Sequence, residues 1–139
     1  MNKSWNVLSW NIRGINSDAK LLAIRYAIDT SGCSGLCIQE TKCESFDLAF
    51  IKTFYPKCFD KFVFASSVGA SGGIIIIWNS TVFVGTPWYV DSFAMEVSFV
   101  ATQSNDSWKL INVYGPCSGQ CRVDFTNWLF DLNIPDNEN

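Results

Sequence analysis

The sequence contains no histidine among its 139 residues. Histidine is the commonest general base and a frequent metal ligand, so its absence removes both roles from this stretch of chain. Ser-His-Asp and Cys-His mechanisms are excluded within these residues for the same reason. Any chemistry that they carry must therefore use carboxylates, Tyr, Asn, Arg and a metal ion.

Charge is also scarce. Charged residues make up 17% of the chain and hydrophobic residues 48%, a balance that excludes a disordered tail. We therefore expect a single domain over residues 1–139 with a substantial buried core. The net charge is −3, so no overall positive field attracts nucleic acid. A metal ion or a few local cations must then attract any phosphate substrate.

Long apolar runs are missing. The longest aliphatic run is Ile74 to Ile77, which is far too short to span a bilayer. The first residues show no basic start followed by an apolar stretch, so no secretory signal is predicted. We expect an intracellular protein that has no membrane partner and keeps most of its 6 cysteines reduced.

The apolar pattern predicts mostly strands, with helices near the start and the end. A strand at residues 5–10 and another at 36–38 flank a helix that Ser17 caps and Gly32 ends. A short helix is predicted within residues 46–55. Further strands are predicted at residues 61–67, 74–78, 82–90, 93–102 and 108–114.

Three details refine this prediction. The strand at residues 74–78 is apolar on both faces and should be central in its sheet. Pro87 marks an edge strand or a bulge. A final amphipathic helix is indicated by Phe125, Trp128, Leu129 and Leu132. The order of elements predicts an α+β fold in which one sheet packs on another and helices lie outside.

Polar residues stand where three apolar strands end, namely Asn11, Glu40 and Tyr114. Carboxylate and amide oxygens suit Mg²⁺, which keeps several waters and relies on few protein groups. A phenol can donate a hydrogen bond to a phosphate oxygen, and Arg13 can pair with a phosphate. The alternative reading is structural, because polar residues after strands often simply meet water or form turns.

Four short motifs follow one another with sensible gaps. They are Trp-Asn-Ile-Arg-Gly at 10–14, Gln-Glu-Thr-Lys at 39–42, Gly-Gly at 72–73 before an apolar strand, and Asn-Val-Tyr-Gly-Pro at 112–116. The chain thereby resembles the endonuclease/exonuclease/phosphatase family, which has the deoxyribonuclease-I-like fold. It is similar in particular to the endonuclease domains of plant LINE-type retrotransposons.

This resemblance implies a four-layer α/β/β/α sandwich that hydrolyses phosphodiester bonds in DNA with Mg²⁺. It implies that Glu40 is the metal-binding carboxylate, with Asn11 beside it at the metal and the phosphate. It places Tyr114 at the scissile phosphate, and Arg13 and Lys42 along the substrate backbone. In the family, an Asp-His pair activates the attacking water. A LINE-type origin also implies nuclear location.

The later motifs of that family, Gly-Asp-Phe-Asn and Ser-Asp-His, are absent from the sequence. We therefore expect residues 1–139 to be a C-terminally truncated domain with an incomplete sandwich. Such a fragment should have little or no hydrolase activity, because the members of a catalytic unit act together. A non-catalytic binding module and a decayed retrotransposon relic remain alternatives. Truncation should also bare apolar faces and open an edge near the Ile74 to Ile77 strand, which favours self-association.

Two Cys-x₃-Cys pairs, Cys33 with Cys37 and Cys117 with Cys121, offer four thiols. Four thiolates can hold a structural zinc ion. However, Cys37 lies in an apolar strand, where a cysteine usually serves as a small core residue. The core role is therefore favoured over zinc.

Overall fold

The computed structural model describes residues 6–15, 17–54, 59–68, 71–90 and 94–114, together with residues 123, 126 and 127. The described elements are β1 (Val7–Asn11), α1 (Asp18–Ser31), β2 (Gly35–Gln39), α2 (Leu48–Phe54), β3 (Phe59–Val68), β4 (Ser71–Asn79), β5 (Phe83–Val90), β6 (Ala94–Ala101) and β7 (Ser107–Val113). Each predicted strand is present, with ends that differ by a few residues. The predicted final helix, from Phe125 to Leu132, lies outside the described residues.

The first sheet has the strand order β1-β2-β4-β3. β1 runs parallel to β2, and the other pairs are antiparallel. β4 is paired on both sides, which confirms that the apolar strand is central. β4 itself is not an outer strand, but β3, which pairs with it, is one, so an edge of the described sheet lies one strand away from Ile74 to Ile77. The outer strands of this sheet are β1 and β3.

Successive isoleucines of β4 point into two different cores. Ile75 and Ile77 pack in a cluster with residues of α1 and α2, including Ile24, Ile28 and Ile51. Ile74 and Ile76 belong to a second cluster that includes Met95, Val97 and Phe99 of β6. Because neighbouring side chains of a strand alternate between its faces, β4 is buried on both sides. The described elements thus form three layers, with helices, first sheet and second sheet in that order.

The second sheet is an antiparallel meander with the order β5-β6-β7. β5 is one of its two outer strands among the described residues, and its pairing with β6 shifts register between Pro87 and Tyr89. Both features fit the missing N–H of proline, which cannot donate to a regular ladder. The prediction made from Pro87 is therefore confirmed.

The ends of α1 are those predicted. The Ser17 side chain accepts a hydrogen bond from the Lys20 backbone N–H at 3.2 Å. Gly32 ends the helix in the left-handed conformation, with φ 64°, and its N–H donates to the Ile28 carbonyl at 3.2 Å. None of the helices in the described part of the chain is long and apolar enough to cross a membrane. The predicted α+β class, with two packed sheets and outer helices, is confirmed.

Candidate active site

The site is built first by the parallel pairing of β1 and β2. Parallel strands end at the same edge of a sheet, and Asn11 lies opposite Gln39 at that edge. Glu40 follows directly, while Gln39 also faces Ile74 near the start of β4. Asn11 is exposed and the Glu40 side chain is 20% exposed. Both side chains therefore lie at one rim, where solvent and ligands can reach them.

The second sheet meets the same rim through β7. The buried amide of Asn112 donates hydrogen bonds to the carbonyls of Ile38 at 3.2 Å and Ile75 at 3.1 Å. Tyr114 stands two residues further on and is partly buried against the core between the sheets. The structure thus brings the ends of β1, β2 and β7 together, and with them Asn11, Glu40 and Tyr114.

Backbone hydrogen bonds extend the sheet into the loops that carry Arg13 and Lys42. The Gly14 N–H donates to the Glu40 carbonyl at 2.7 Å, and the Ile15 N–H donates to the Thr41 carbonyl at 3.0 Å. The Lys42 N–H donates to the Gly72 carbonyl at 2.9 Å. The loops after β1 and β2 are therefore tied to each other and to the start of β4, so Arg13 and Lys42 lie beside Glu40.

The backbone at this rim adopts an uncommon conformation. Among the non-glycine residues that the structure describes, those with positive φ are Arg13 at 54°, Glu40 at 56°, Lys42 at 56° and Asn105 at 59°. Such a conformation costs on the order of 1 kcal/mol or more per residue and concentrates at functional sites. Arg13, Glu40 and Lys42 are all candidate site residues, so the local strain coincides with the predicted site.

Two lysines lie at this rim although the chain is acidic overall. The Lys42 Nζ lies 3.8 Å from the Glu40 Oε1. The Lys20 Nζ donates to the carbonyls of Ile12 at 2.9 Å and Arg13 at 2.7 Å, and so braces the strained loop. Lys20 belongs to none of the four sequence motifs. Its position in the first turn of α1 was the available signal, because the helix dipole disfavours a cation there.

The donors at the rim fit a magnesium ion that keeps most of its waters. Glu40 offers a carboxylate and Asn11 an amide oxygen, both hard ligands of the kind that Mg²⁺ uses. Within the described part of the chain, no group of three or more His, Cys, Asp or Glu side chains could hold a metal. These residues alone therefore provide a partial ligand set, which further carboxylates or phosphate oxygens must complete.

The cysteine pair Cys33 and Cys37 behaves as core. Cys33 packs in the cluster beneath the helices, whereas Cys37 packs in the cluster between the sheets. Burial raises the pKa of the Cys37 thiol to about 11, against hydrogen bonds with Ser9 and Gln39 that lower it. The thiol is therefore protonated near neutral pH and is neither a nucleophile nor a ready metal ligand. Cys117 and Cys121 lie outside the described residues.

Solved structures show which known proteins share this fold. The AP endonuclease LMAP from Leishmania major matches with a TM-score of 0.61 and 15% identity, over 91% of this chain and 44% of that protein. An AP endonuclease from Archaeoglobus fulgidus matches with a TM-score of 0.59 and 17% identity, over 91% and 49%. The APE2 catalytic domain from Xenopus laevis gives a TM-score of 0.56 and 16% identity, over 88% and 51%.

These matches define the fold as deoxyribonuclease-I-like, the fold predicted from the motifs. The chain spans about half the length of each of these three structures. No protein-family model matches the sequence, and no curated protein sequence is significantly similar to it.

Proposed function

We propose that the chain is part of a metal-dependent phosphodiester hydrolase domain of the endonuclease type, with DNA as substrate. One observation carries this proposal, namely the convergence of Asn11, Glu40 and Tyr114 on a single rim. The described fold, shared with three AP endonucleases, supports it. Sheet proteins commonly build their sites where strand ends converge, since loops there are free to vary on a rigid base.

Each residue at the rim has a role in this proposal. Glu40 and Asn11 hold Mg²⁺, which when bound polarises a phosphoryl oxygen and stabilises developing negative charge. The Tyr114 hydroxyl donates a hydrogen bond to the phosphate that is cleaved. Arg13 and Lys42 pair with flanking phosphates and supply the local attraction that the net charge of −3 does not.

We further propose that residues 1–139 contribute only part of the catalytic set. They contain no His and neither later family motif, so nothing among them matches the Asp-His pair that activates water. The chain is then the first part of a longer domain of the plant LINE retrotransposon type, acting in the nucleus. Alone it should bind metal and DNA but cleave poorly, since catalytic groups act as a unit.

The test is nicking of supercoiled plasmid by the purified chain with Mg²⁺, with EDTA and Glu40→Ala as controls. A second substrate, duplex DNA with one abasic-site analogue, asks whether it shares the specificity of the AP endonucleases. We expect little nicking of either DNA, together with Mn²⁺ binding that Glu40→Ala abolishes. Nicking lost in Glu40→Ala would support the hydrolase class and show that the inactivity claim is wrong. Folded chain that binds neither Mn²⁺ nor DNA contradicts the hydrolase proposal.

A second candidate function is nucleic-acid binding without catalysis. The cations Arg13, Lys20 and Lys42 around one rim favour it, because they make a local positive patch on an acidic chain. Binding to DNA in EDTA that weakens steeply with salt, and weakens further in Lys42→Met, identifies this function. Binding that requires Mg²⁺ and Glu40 instead favours the hydrolase.

A further inference from the structure

A buried amide lies between the two sheets, in a core that is otherwise mostly apolar. Asn112 is 1% exposed, and the surrounding cluster includes Ile74, Ile76 and Met95. The buried polar residues of the described chain are Thr41, Ser67 and Asn112. A buried polar side chain requires hydrogen-bond partners, because leaving a donor or acceptor unpaired costs about 1–3 kcal/mol.

Asn112 has partners on both of its amide atoms. Its Nδ2 donates to the carbonyls of Ile38 and Ile75, which face each other across β2 and β4. Its Oδ1 accepts from the Gln39 Nε2 at 2.8 Å. Rotating the amide by half a turn would set Oδ1 against two carbonyl oxygens, so the hydrogen bonds allow one orientation. The side chain therefore joins β7 to two strands of the first sheet at one point.

Gln39 extends this connection to the outermost strand. Its Nε2 lies 3.1 Å from the Ser9 Oγ on β1, besides the 2.8 Å bond to Asn112. We call Ser9, Gln39 and Asn112 the inter-sheet clamp. It links β1, β2 and β7, which are the three strands whose ends carry Asn11, Glu40 and Tyr114.

The hydrogen bonds of the clamp restrict how the two sheets are placed against each other, which apolar packing alone does not. Hydrophobic association is non-directional, and buried polar groups are often no more stabilising than apolar groups of the same shape. Fully paired polar networks can instead specify one arrangement. Gln39 is bonded directly to Glu40 in the chain, and Asn112 precedes Tyr114 by two residues. The 2.8 Å bond between Gln39 and Asn112 thus joins the segments that carry the two candidate groups.

We propose that Gln39 and Asn112 are positioning residues that set the separation of Glu40 and Tyr114 across the two sheets. The proposal rests on the hydrolase function, in which those two groups act on the same metal and phosphate. It predicts that removing the clamp displaces Tyr114 relative to a metal held by Glu40, while the apolar core keeps the sheets together.

The experiment places a paramagnetic ion at one end of the clamp and a fluorine label at the other. The full chain is produced with 3-fluorotyrosine at its 4 tyrosines, and Tyr114→Phe assigns the fluorine signal of Tyr114. Mn²⁺ is then titrated in, and relaxation of that signal is measured. The enhancement of fluorine relaxation by Mn²⁺ falls with the sixth power of the distance between the ion and the fluorine. A displacement of Tyr114 by about 1 Å therefore changes the enhancement about two-fold, and a displacement of that size is enough to impair catalysis.

The clamp variants are Asn112→Leu and Gln39→Met, which remove the hydrogen bonds with little change of shape and add no charge. The matched control is Thr102→Val, which removes the 2.7 Å bond from Thr102 Oγ1 to the Thr81 carbonyl, away from the rim. We expect one narrow Tyr114 signal in wild type and Thr102→Val. In both clamp variants we expect a shifted or multiple signal and an enhancement changed at least about two-fold. If Asn112→Leu does not fold, Gln39→Met carries the test alone, because Gln39 is only partly buried.

Failure of this inference differs from failure of the proposed function. Folded chain that binds neither Mn²⁺ nor DNA, or that binds Mn²⁺ equally well as Glu40→Gln, overturns the hydrolase proposal. The metal-free fluorine spectrum then still tests the clamp. Tyr114 signals that are identical in wild type, Thr102→Val and the clamp variants overturn the positioning role, whether or not Mn²⁺ binds.

Discussion

The two sheets differ in how many of their faces are covered. In the first sheet, β2 is buried from Gly35 to Ile38 and β4 is buried from Gly73 to Trp78, on both faces. In the second sheet, only the face toward the first sheet is buried consistently. The other face exposes 58% of Val84 and 38% of Val100, which lie opposite each other on β5 and β6. A sheet covered on one face gives an alternating sequence, and a sheet covered on both gives a continuous apolar run.

The two sheets also differ in the backbone conformation of the loops at their ends. The first sheet supports Arg13, Glu40 and Lys42 in strained backbone conformations, whereas the second carries one such residue, Asn105, near the turn between β6 and β7. A strained residue persists only when its surroundings fix it strongly. The doubly covered sheet is therefore the more rigid base of the candidate site, and the second sheet reaches this base through β7, two residues before Tyr114.

The difference in burial between the two sheets is tested most strongly by a substitution that leaves a cavity between them. Ile76 is 0% exposed and packs against the second sheet, so Ile76→Ala leaves a void that the surroundings fill only in part. We expect the free energy of unfolding to fall by about 2–5 kcal/mol. Urea unfolding monitored by circular dichroism measures the change.

The matched control lies on the open face of the second sheet. Val100→Ala also shortens an aliphatic strand residue, but it removes a side chain that is already 38% exposed. We expect a change within about 0.5 kcal/mol. Equal losses in the two variants would mean that the outer face is also covered in the folded protein, and that the comparison between the sheets is wrong.

Much of the fold could be predicted from the sequence because its signals are local. The isoleucine run indicated a central strand, Ser17 and Gly32 marked the ends of α1, and Pro87 marked an irregular edge. The order of the strands in the sheet could not be predicted. A strand's own residues show that it is buried but not which strands flank it, and here β2 and β3 flank β4.

The strand ends that meet at the candidate site could be predicted from the sequence, but the contacts that bring them together could not. Strand ends and motifs indicated Asn11, Glu40 and Tyr114 before their proximity was known. The role of Asn112 could not be predicted, because its hydrogen bond to the Ile38 carbonyl joins residues 74 positions apart in sequence. The positive φ angles of Arg13 and Glu40 could not be predicted from the sequence either, because contacts between neighbouring loops impose them and the residue types do not. Tertiary contacts, not local propensity, set these features.

The second test concerns the backbone at the rim of the first sheet. Gly73 has φ 89°, and a Cβ added there would overlap the Oγ1 of the buried Thr41. Gly73→Ala therefore combines backbone strain with a steric clash, and we expect a loss of about 3 kcal/mol in the free energy of unfolding. Thermal and urea unfolding measure this loss, and Mn²⁺ binding by Glu40 should weaken as the loop shifts.

Gly72→Ala is the control for the strain alone. Gly72 has φ 80°, but a Cβ there meets no atom within 4 Å. We expect a loss of about 1 kcal/mol and unchanged Mn²⁺ binding. If Gly73→Ala is no worse than Gly72→Ala, the close approach of Thr41 to β4 does not constrain the site.

The smallest expected effect is a pH dependence from Cys37, which is buried between the sheets. Burial raises the pKa of this thiol from its ordinary value of 9.0 to about 11, so the folded state disfavours the thiolate. Below pH 9 the thiol is protonated in both states, and its full contribution to stability is present. Between pH 9 and 11 the unfolded chain loses the proton first, so stability falls as pH rises, by about 2 kcal/mol at most.

Cys37→Ala removes this titration, so the difference in unfolding free energy between wild type and variant should narrow from pH 8 to pH 11. Urea unfolding at several pH values measures the difference. Cys43 provides the comparison at the rim, because burial also raises the pKa of its thiol although it is only partly buried. Cys43→Ala should therefore change the pH dependence less than Cys37→Ala. Parallel curves for wild type and Cys37→Ala would show that water reaches this thiol and that the space between the sheets is not dry.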